Sequence, residues 1–357
     1  MIPDNGKKQK NILFISSNDG SDMRINKEIK SLHAAGASVY FVGVESKPEN
    51  CFARPFCHEV CLVRGPRNTA LSFIRLLMTV LRILLTRRIS SIHIINEQLM
   101  VFFYPLLFFR HTVLDLFDSL FLKYNHPGNS LKMLKWFVYL PVNRIIVTDE
   151  RRLSLMPDFA KERCLVLPNY PPIRTPETRK KRSGPLCILY NGWMGRNRGT
   201  EIIEGLLTTG LPLKVIMAGW FSDEATRIMV EKHPESIDFR GVVPQETALT
   251  WAEKEADYIL CVYAPVNDNN INASPNKIYD AIHTGTPLIV NSEIGISVFT
   301  NANNLGIVLP SYYNIDFQAL FSELTEKRNS FHWENRLREQ YSWENTEKIL
   351  INCHQLT

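Results

Sequence analysis

The sequence predicts an α/β protein built from two doubly wound parallel sheets, and three observations carry that expectation. From Asn11 the chain alternates short apolar strands with amphipathic helices. A proline-rich, basic stretch from Pro168 to Pro185 interrupts the alternation, which then restarts and runs to the last third of the chain. Strands joined through helices pair in parallel, and parallel sheets are covered by helices on both faces. A length of 357 residues also exceeds the usual span of one core.

In order, "NILFISSNDGSDMRINKEIKSLHAAGASVYFVGV" reads as a strand, a polar Gly-bearing loop, a helix from Ser21 to Ala35 and a strand from Ser38 to Val44. There follow a helix from Ala70 to Thr86, a strand from Ser91 to Ile95, a helix near Gln98 to Phe109 and a strand from Thr112 to Leu116. "NRIIVTDERRLSLM" adds a strand and a helix, and "CLVLPNYPP" a short strand. The five prolines between Pro168 and Pro185, set before a Lys/Arg run, mark a linker. Beyond it come "LCILYNG", "LKVIMAG", "IDFRG", "ADYILCVYAP" and "PLIV" as strands, separated by "TEIIEGLL", "DEATRIMVEKH" and "PQETALTWAEKE" as helices. "SWENTEKILINCHQ" is a closing helix with no strand after it, expected to pack across the domain junction. The expected domains are residues 1–170, 171–340 and a terminal helix, 341–357.

Composition narrows the function classes. The chain is 45% hydrophobic, 22% charged and 10% aromatic, with a mean hydropathy of −0.12; these are the values of an ordinary globular protein. Its net charge of +5, from 41 Lys and Arg against 36 Asp and Glu, is mild. The basic residues are not interleaved with aromatics in a stripe, so no nucleic-acid partner is expected; polyanionic ligands or an anionic membrane surface suit the charge. Seven scattered cysteines without a CxxC pair indicate a reducing compartment. Cys51, Cys57, His58 and Cys61 cluster without a second ligand pair, so they read as buried thiols and no metal is expected. The N-terminus does not read as a signal peptide, and no stretch of about 20 apolar residues is free of charge. The expected location is cytoplasmic, extending to the inner face of the cytoplasmic membrane.

Two segments carry chemistry. In "NASPNKIYDAIHTGTPLIV", Ser274 is suited to cap a helix whose first residue is Pro275, with Lys277 in the first turn. A helix N-terminus and a Lys together attract phosphate, although an ordinary helix start with a solvated Lys has the same spelling. Asp280, one turn on, could accept hydrogen bonds from two sugar hydroxyls, or simply pair with Lys277 at i,i+3. The second segment, "YNGWMGRNRGTEII", is a strand, a Gly-rich loop carrying Arg196 and Arg198, and a helix. Arginines in such a loop match the bidentate geometry of phosphate oxygens. Both loops follow strand C-terminal ends, where open α/β sheets bind ligands, and together they point to a diphosphate-containing ligand.

In order and spacing, "YNG…RGTEII", "IMAG", "IDFRGVVP", "ADYILCVYAP" and "SPNKIYDAIHTGTPLIV" resemble the C-terminal half of family 4 glycosyltransferases. "NILFISSNDGSDMRINKEIKSLHAAGASVYFVGV", "VLDLFDS" and "NRIIVTDERR" are similar to the N-terminal half. The resemblance implies the GT-B fold, two Rossmann-like domains facing a central cleft, and a nucleotide diphosphate sugar as donor. It implies two carboxylates separated by seven residues, whose positions here are Asn272 and Asp280, with Asp280 on the ribose and Asn272 on the donor sugar. It places a basic residue at Arg198, but puts Trp193 where a second one usually stands, so Arg196 or Lys277 would replace that charge. Ser274, Asn276, Gly192, Gly219 and Val243 fall at positions lining the nucleotide. For the implied retaining reaction, Arg198, Lys277 and the helix N-terminus would stabilise the leaving β-phosphate without a metal or other cofactor.

The N-terminal half should bind the acceptor, a glycan or a polyprenyl-linked saccharide. Gly20, Asp22 and Arg24 are expected at a strand end beside the ligand, although a helix N-terminal turn with surface charges has the same spelling, and Asp118 matches the second Asp of a family motif whose preceding His is Phe117 here. Glu97 also lies at a strand end, and His93 reads as a buried structural histidine. "TALSFIRLLMTVLRILLTRR" shows a narrow polar stripe of Ser72, Arg75, Thr79, Arg82 and Thr86 on an otherwise apolar helix. With "MVFFYPLLFF" it is a candidate peripheral membrane contact, though a packed helix has much the same pattern. The expected activity is transfer of a sugar onto a glycan in bacterial surface polysaccharide synthesis. The departures at Asn272 and Trp193 leave open a catalytically inactive homologue that binds glycan or a partner, and a nucleotide-sugar epimerase stands as a third reading.

Overall fold

A computed structural model describes residues 10–45, 51–66, 69–124, 126–174, 182–271, 273 and 275–356. They form two compact units, one of residues 1–169 with 346–357 and one of residues 170–345.

The first unit is built on seven strands: β1 (Asn11–Ile15), β2 (Ser38–Glu45), β3 (Glu59–Arg64), β4 (Ser91–Ile95), β5 (His111–Leu116), β6 (Arg144–Val147) and β7 (Cys164–Val166). All pairs are parallel, in the order β3-β2-β1-β4-β5-β6-β7. β1, β2 and β4 are almost wholly buried, which is why they spell continuous apolar runs rather than alternating ones. The helices are α1 (Met23–Ala34), α2 (Ala70–Thr86), α3 (Glu97–Leu107), α4 (Leu120–Lys123), α5 (Lys132–Tyr139), α6 (Glu150–Ser154) and α7 (Asp158–Lys161). The edge strand β3 was not expected: its Cys61 falls in the cysteine cluster, and its exposed side breaks the apolar run. The seven cysteines are free thiols, four of them buried.

The second unit has six parallel strands, β8 (Leu186–Met194), β9 (Leu213–Phe221), β10 (Ile237–Phe239), β11 (Tyr258–Leu260), β12 (Leu288–Asn291) and β13 (Gly306–Leu309). Their order is β10-β9-β8-β11-β12-β13. The helices are α8 (Thr200–Thr208), α9 (Glu224–Lys232), α10 (Gln245–Lys254), α11 (Asp268–Ile271), α12 (Lys277–Thr284), α13 (Ile296–Ala302), α14 (Phe317–Lys327) and α15 (Asn335–Gln340), before the closing α16 (Trp343–Cys353). In each sheet the order reverses beside the first strand, between β1 and β4 and between β8 and β11. Open α/β sheets bind their ligands outside the strand ends at such switch points.

Two boundaries depart from the sequence expectation for physical reasons. β8 runs on through Gly192 and Trp193 to Met194, in register with β9 up to Phe221. Gly192 faces Gly219 there, and a Cβ on Gly219 would stand 2.0 Å from the Gly192 carbonyl oxygen. These glycines let two strands continue side by side, so β8 runs two residues past its expected end at Gly192. α12 begins at Lys277 instead of Pro275, because the Ile278 amide reaches only three residues back, to the Pro275 carbonyl at 3.4 Å, making a 3₁₀-like first turn.

The tail is fastened to the first unit. His354, buried, meets the Ser91 hydroxyl through Nδ1 at 2.7 Å and the Nδ1 of His93 through Nε2 at 3.0 Å. His93 is itself fully buried and stacks on Phe14, with ring centroids 4.2 Å apart.

Candidate functional site

In the second unit, the switch point gathers the β8–α8 loop, the end of β11 and the start of α12. The loop Gly195–Gly199 is tightly folded, and each of its five amides already has a partner. Gly195 donates to the Tyr190 hydroxyl at 2.9 Å, Arg196 to Asp223 at 2.6 Å, Asn197 to Glu201 at 2.9 Å, Arg198 to the Gly195 carbonyl at 3.1 Å and Gly199 to the Tyr312 hydroxyl at 3.3 Å. Gly199 sits at φ +115°, and a Cβ there would press within 2.7 Å of Leu260. With its amides committed, the loop acts on a ligand through side chains.

Arg198 is the side chain it offers. It is exposed, makes no ion pair among the described residues and lies over the Tyr263 ring, 5.4 Å from the centroid. Asn291 fixes that tyrosine: it accepts from the Tyr263 amide and donates to the Tyr263 carbonyl, both at 2.9 Å. Arg196, by contrast, turns back along α8 to pair with Glu204 at 3.3 Å. Of the two arginines expected on phosphate, Arg198 is the one placed beside Lys277.

Lys277 projects from the first turn of α12, donates to the Leu260 carbonyl at 2.9 Å and lies over the Tyr190 ring at 5.2 Å. Burial lowers its pKa below the usual 10.5 and the charge of Arg198 lowers it further, opposed by Cys261 and Asp280. The bond to Leu260 also explains why β11 is short. Its last carbonyl goes to a side chain; Cys261 still donates to the Ile289 carbonyl at 2.9 Å, and beyond it Tyr263 is held by the Asn291 side chain. Asp280, 3% exposed, accepts from the Gln245 side-chain amide at 2.7 Å. Asn276 is the residue before α12 and makes no side-chain cap.

Val243 lies half-buried in the loop after β10, close in sequence to Gly241, whose carbonyl accepts from the Gly219 amide at 2.8 Å. Trp193 stacks on Trp220 at 5.6 Å and stays 56% exposed. Asn272 and Ser274 lie outside the described residues, so the expected helix cap and donor-sugar contact fall there. Tyr190, Tyr263, Tyr312, Gln245 and Asn291 were not singled out from the sequence. The tyrosines read as apolar strand positions, and no local signal distinguishes a ring that backs a cation from one that fills a core.

In the first unit the expected acceptor residues sit in structural positions. Gly20, at φ +86°, passes so close to Cys51 that a Cβ would lie 2.8 Å from its Sγ. Asp22 caps α1, accepting from the Arg24 and Ile25 amides. Arg24 does not border a ligand but is buried: it pairs with Asp115 at 2.9 Å and Glu28 at 2.8 Å and donates to the Leu167 carbonyl at 3.0 Å. Glu97, also buried, accepts from Ser119, Tyr139 and the Leu120 amide, and burial raises its pKa. Asp118 is exposed, its amide held by Asn96 at 3.0 Å. Asn96 closes β4 at φ +61° and ψ 156°, a backbone conformation costly for any residue but glycine; such strain, on the order of 1–3 kcal/mol, gathers at ligand sites. Glu28, His93 and Asp115 bring potential ligand atoms within 4.8 Å of one another, but Arg24 already supplies the positive charge.

Two doubly wound parallel domains, one of seven strands and one of six, are the architecture of the GT-B fold, and the chain has that fold. Sucrose-phosphate synthase from Thermosynechococcus elongatus is similar over 97% of this chain and 98% of its own, with a TM-score of 0.70 and 14% identity. Anabaena HepE, solved with UDP and glucose, is similar over 98% and 96%, with a TM-score of 0.61 and 13% identity. The lipopolysaccharide outer core galactosyltransferase WaaB matches over 97% and 99%, at 0.55 and 12%. No family model and no curated protein matches the sequence.

Proposed function

We propose that the chain is a retaining glycosyltransferase that takes a sugar from a nucleotide diphosphate donor held by the second unit. The acceptor is a glycan or a lipid-linked saccharide, in the synthesis of a bacterial surface polysaccharide. One observation carries the reading: Arg198 and Lys277 are set beside each other at the switch point, each backed by a tyrosine ring, and Lys277 is held in charge-disfavouring surroundings. Two cations kept together at a cost are a site prepared for an anion, and a diphosphate supplies the charge to offset it.

In the reaction the bond from the anomeric carbon to the β-phosphate oxygen breaks and the nucleoside diphosphate leaves, as the acceptor hydroxyl attacks the same face of the sugar and passes its proton to the departing phosphate. Negative charge grows on the β-phosphate, where Arg198 and Lys277 stabilise it. Asp280, beside Gln245, takes the ribose hydroxyls. HepE, which shares the fold, is solved with UDP-glucose, and that supports a nucleotide sugar.

Calorimetric titration with a panel of nucleoside diphosphates and their sugar conjugates, without added metal, tests the reading. Micromolar binding of one base is expected; no binding by any of them overturns it. Trp193, exposed and stacked where a second cation would be expected, favours a second reading, a catalytically inactive homologue that binds glycan or a partner. Product analysis with and without a glycan acceptor separates the two and also detects an epimerase, which would need no acceptor.

A further inference from the structure

The exposed apolar surface is divided unevenly along the chain. Of the 23 large hydrophobic side chains exposed among the described residues, fifteen lie between Leu71 and Leu140, on or beside α2, α3 and α5. On α2, Leu71, Ile74, Met78 and Leu85 recur at helical spacing and are 55%, 55%, 61% and 85% exposed, so the helix is apolar outside as well as inside. Of the expected polar stripe, Ser72 is buried and Thr79 half-buried, while Arg75, Arg82 and Thr86 are exposed, and Arg82 and Arg87 pair with Glu59 on β3.

The three helices form one surface. Phe73 of α2 stacks on Phe102 of α3 at 4.5 Å, and Tyr104 of α3 stacks on Phe137 of α5 at 4.5 Å and donates to its carbonyl at 2.8 Å. Between α3 and α5 lies a groove of about 420 Å³, walled by Met100, Val101, Tyr104, Pro105, Leu134 and Phe137, with no charged group in its lining.

Charge says what covers this surface. Residues 69–145 hold nine Lys and Arg against three Asp and Glu, a surplus of six that exceeds the +5 of the whole chain, with Lys135 the buried one of the nine. Two of the three acids, Glu97 and Asp115, are buried. A second copy of the chain would bring the same positive surplus against itself, whereas an anionic bilayer offers both hydrocarbon and the opposite charge. No helix of the described residues is long and apolar enough to cross a membrane, which leaves an interfacial contact.

We propose that the outer face of α2, α3 and α5 docks the first unit on an anionic lipid bilayer, with one hydrocarbon chain entering the groove between α3 and α5. The surface lies in the first unit and the nucleotide residues in the second, so a vesicle measurement and a nucleotide titration can fail separately.

Sedimentation of the full chain with vesicles of phosphatidylcholine alone and of phosphatidylcholine mixed with phosphatidylglycerol tests it. Binding to the mixed vesicles is expected to be at least about tenfold tighter and to weaken with salt. The triple variant Leu85→Glu, Phe109→Glu, Met133→Glu, at three side chains at least 77% exposed, should lose at least about tenfold in that affinity. Independently of that variant, phosphatidylglycerol brominated on its acyl chains should quench wild-type fluorescence more than that of Trp136→Phe, since Trp136 lies beside the groove wall. Equal binding to both vesicle types, quenching that ignores Trp136, or a dimer in solution that the triple variant dissociates would overturn the proposal.

Discussion

Arg24→Met is expected to destabilise the first unit by about 3–5 kcal/mol, because it strips the counter-charge from two buried carboxylates. Asp115 and Glu28 are 0% exposed, and both accept from the Arg24 guanidinium. Methionine keeps much of the volume but none of the charge, so the loss measures an uncompensated buried charge and not a cavity. The triple variant Arg24→Met, Glu28→Gln, Asp115→Asn should regain most of the stability; if it is no better than the single variant, the charge argument fails. Denaturant unfolding of the full chain reads both.

The same cluster gives a pH dependence whose sign follows from its titration. Burial, reinforced by the charge of Asp115, raises Glu28 from 4.5 to about 7. Burial lowers His93, but hydrogen bonds to Asp115 and Glu28 outweigh it and leave the pKa above 6.5. Both groups hold their proton more tightly when folded, so their contribution is complete at acid pH; that of Glu28 is lost as pH rises from 4.5 through about 7, and that of His93 as pH rises above 6.5. Asp115 is lowered and acts oppositely, but only as pH falls below 3.8. Thermal unfolding should therefore show stability falling as pH rises from about 4.5 to about 7, where Glu28 loses its proton first in the unfolded chain, and falling further above 6.5 through His93. Glu28→Gln should flatten that slope.

What could be read from the sequence divides by the range of the interaction that fixes it. α2 and β4 occupy the residues expected of them, because buried strands and long helices write their period locally. β3 was missed because an edge strand with one partner has a weak pattern, and α5 because "LKMLKWFVYL" directs apolar residues outward as well as inward. In the candidate site, Arg198, Lys277 and Asp280 were legible as charges at strand ends. Arg24 misled, since a charged residue after a Gly-bearing loop has the same local signature whether it meets a ligand or, as here, a carboxylate 91 residues on. Asn291 and Gln245 were invisible, because their roles exist only once distant strands and helices bring Tyr263 and Asp280 to them.

Lys277→Ala and Arg198→Ala should each weaken nucleoside diphosphate binding by about 1.5–3 kcal/mol, roughly 10- to 150-fold. The two variants should differ in stability. Lys277 is tied to the Leu260 carbonyl and packed on Tyr190, so its loss should lower the unfolding temperature, whereas Arg198, exposed over Tyr263, can be removed at little cost. They should also differ in pH dependence. An anion favours charged Lys277, so affinity falls as pH rises through its lowered pKa, earlier than an ordinary lysine at 10.5 would allow. Removing Arg198 takes away one cause of that lowering and should move the falling limb to higher pH, while Lys277→Ala abolishes the limb. Calorimetry across pH reads all of this. Unchanged affinity in both variants would sink the assignment of the diphosphate to these cations, and a limb that ignores Arg198 would show that the two charges do not share one anion.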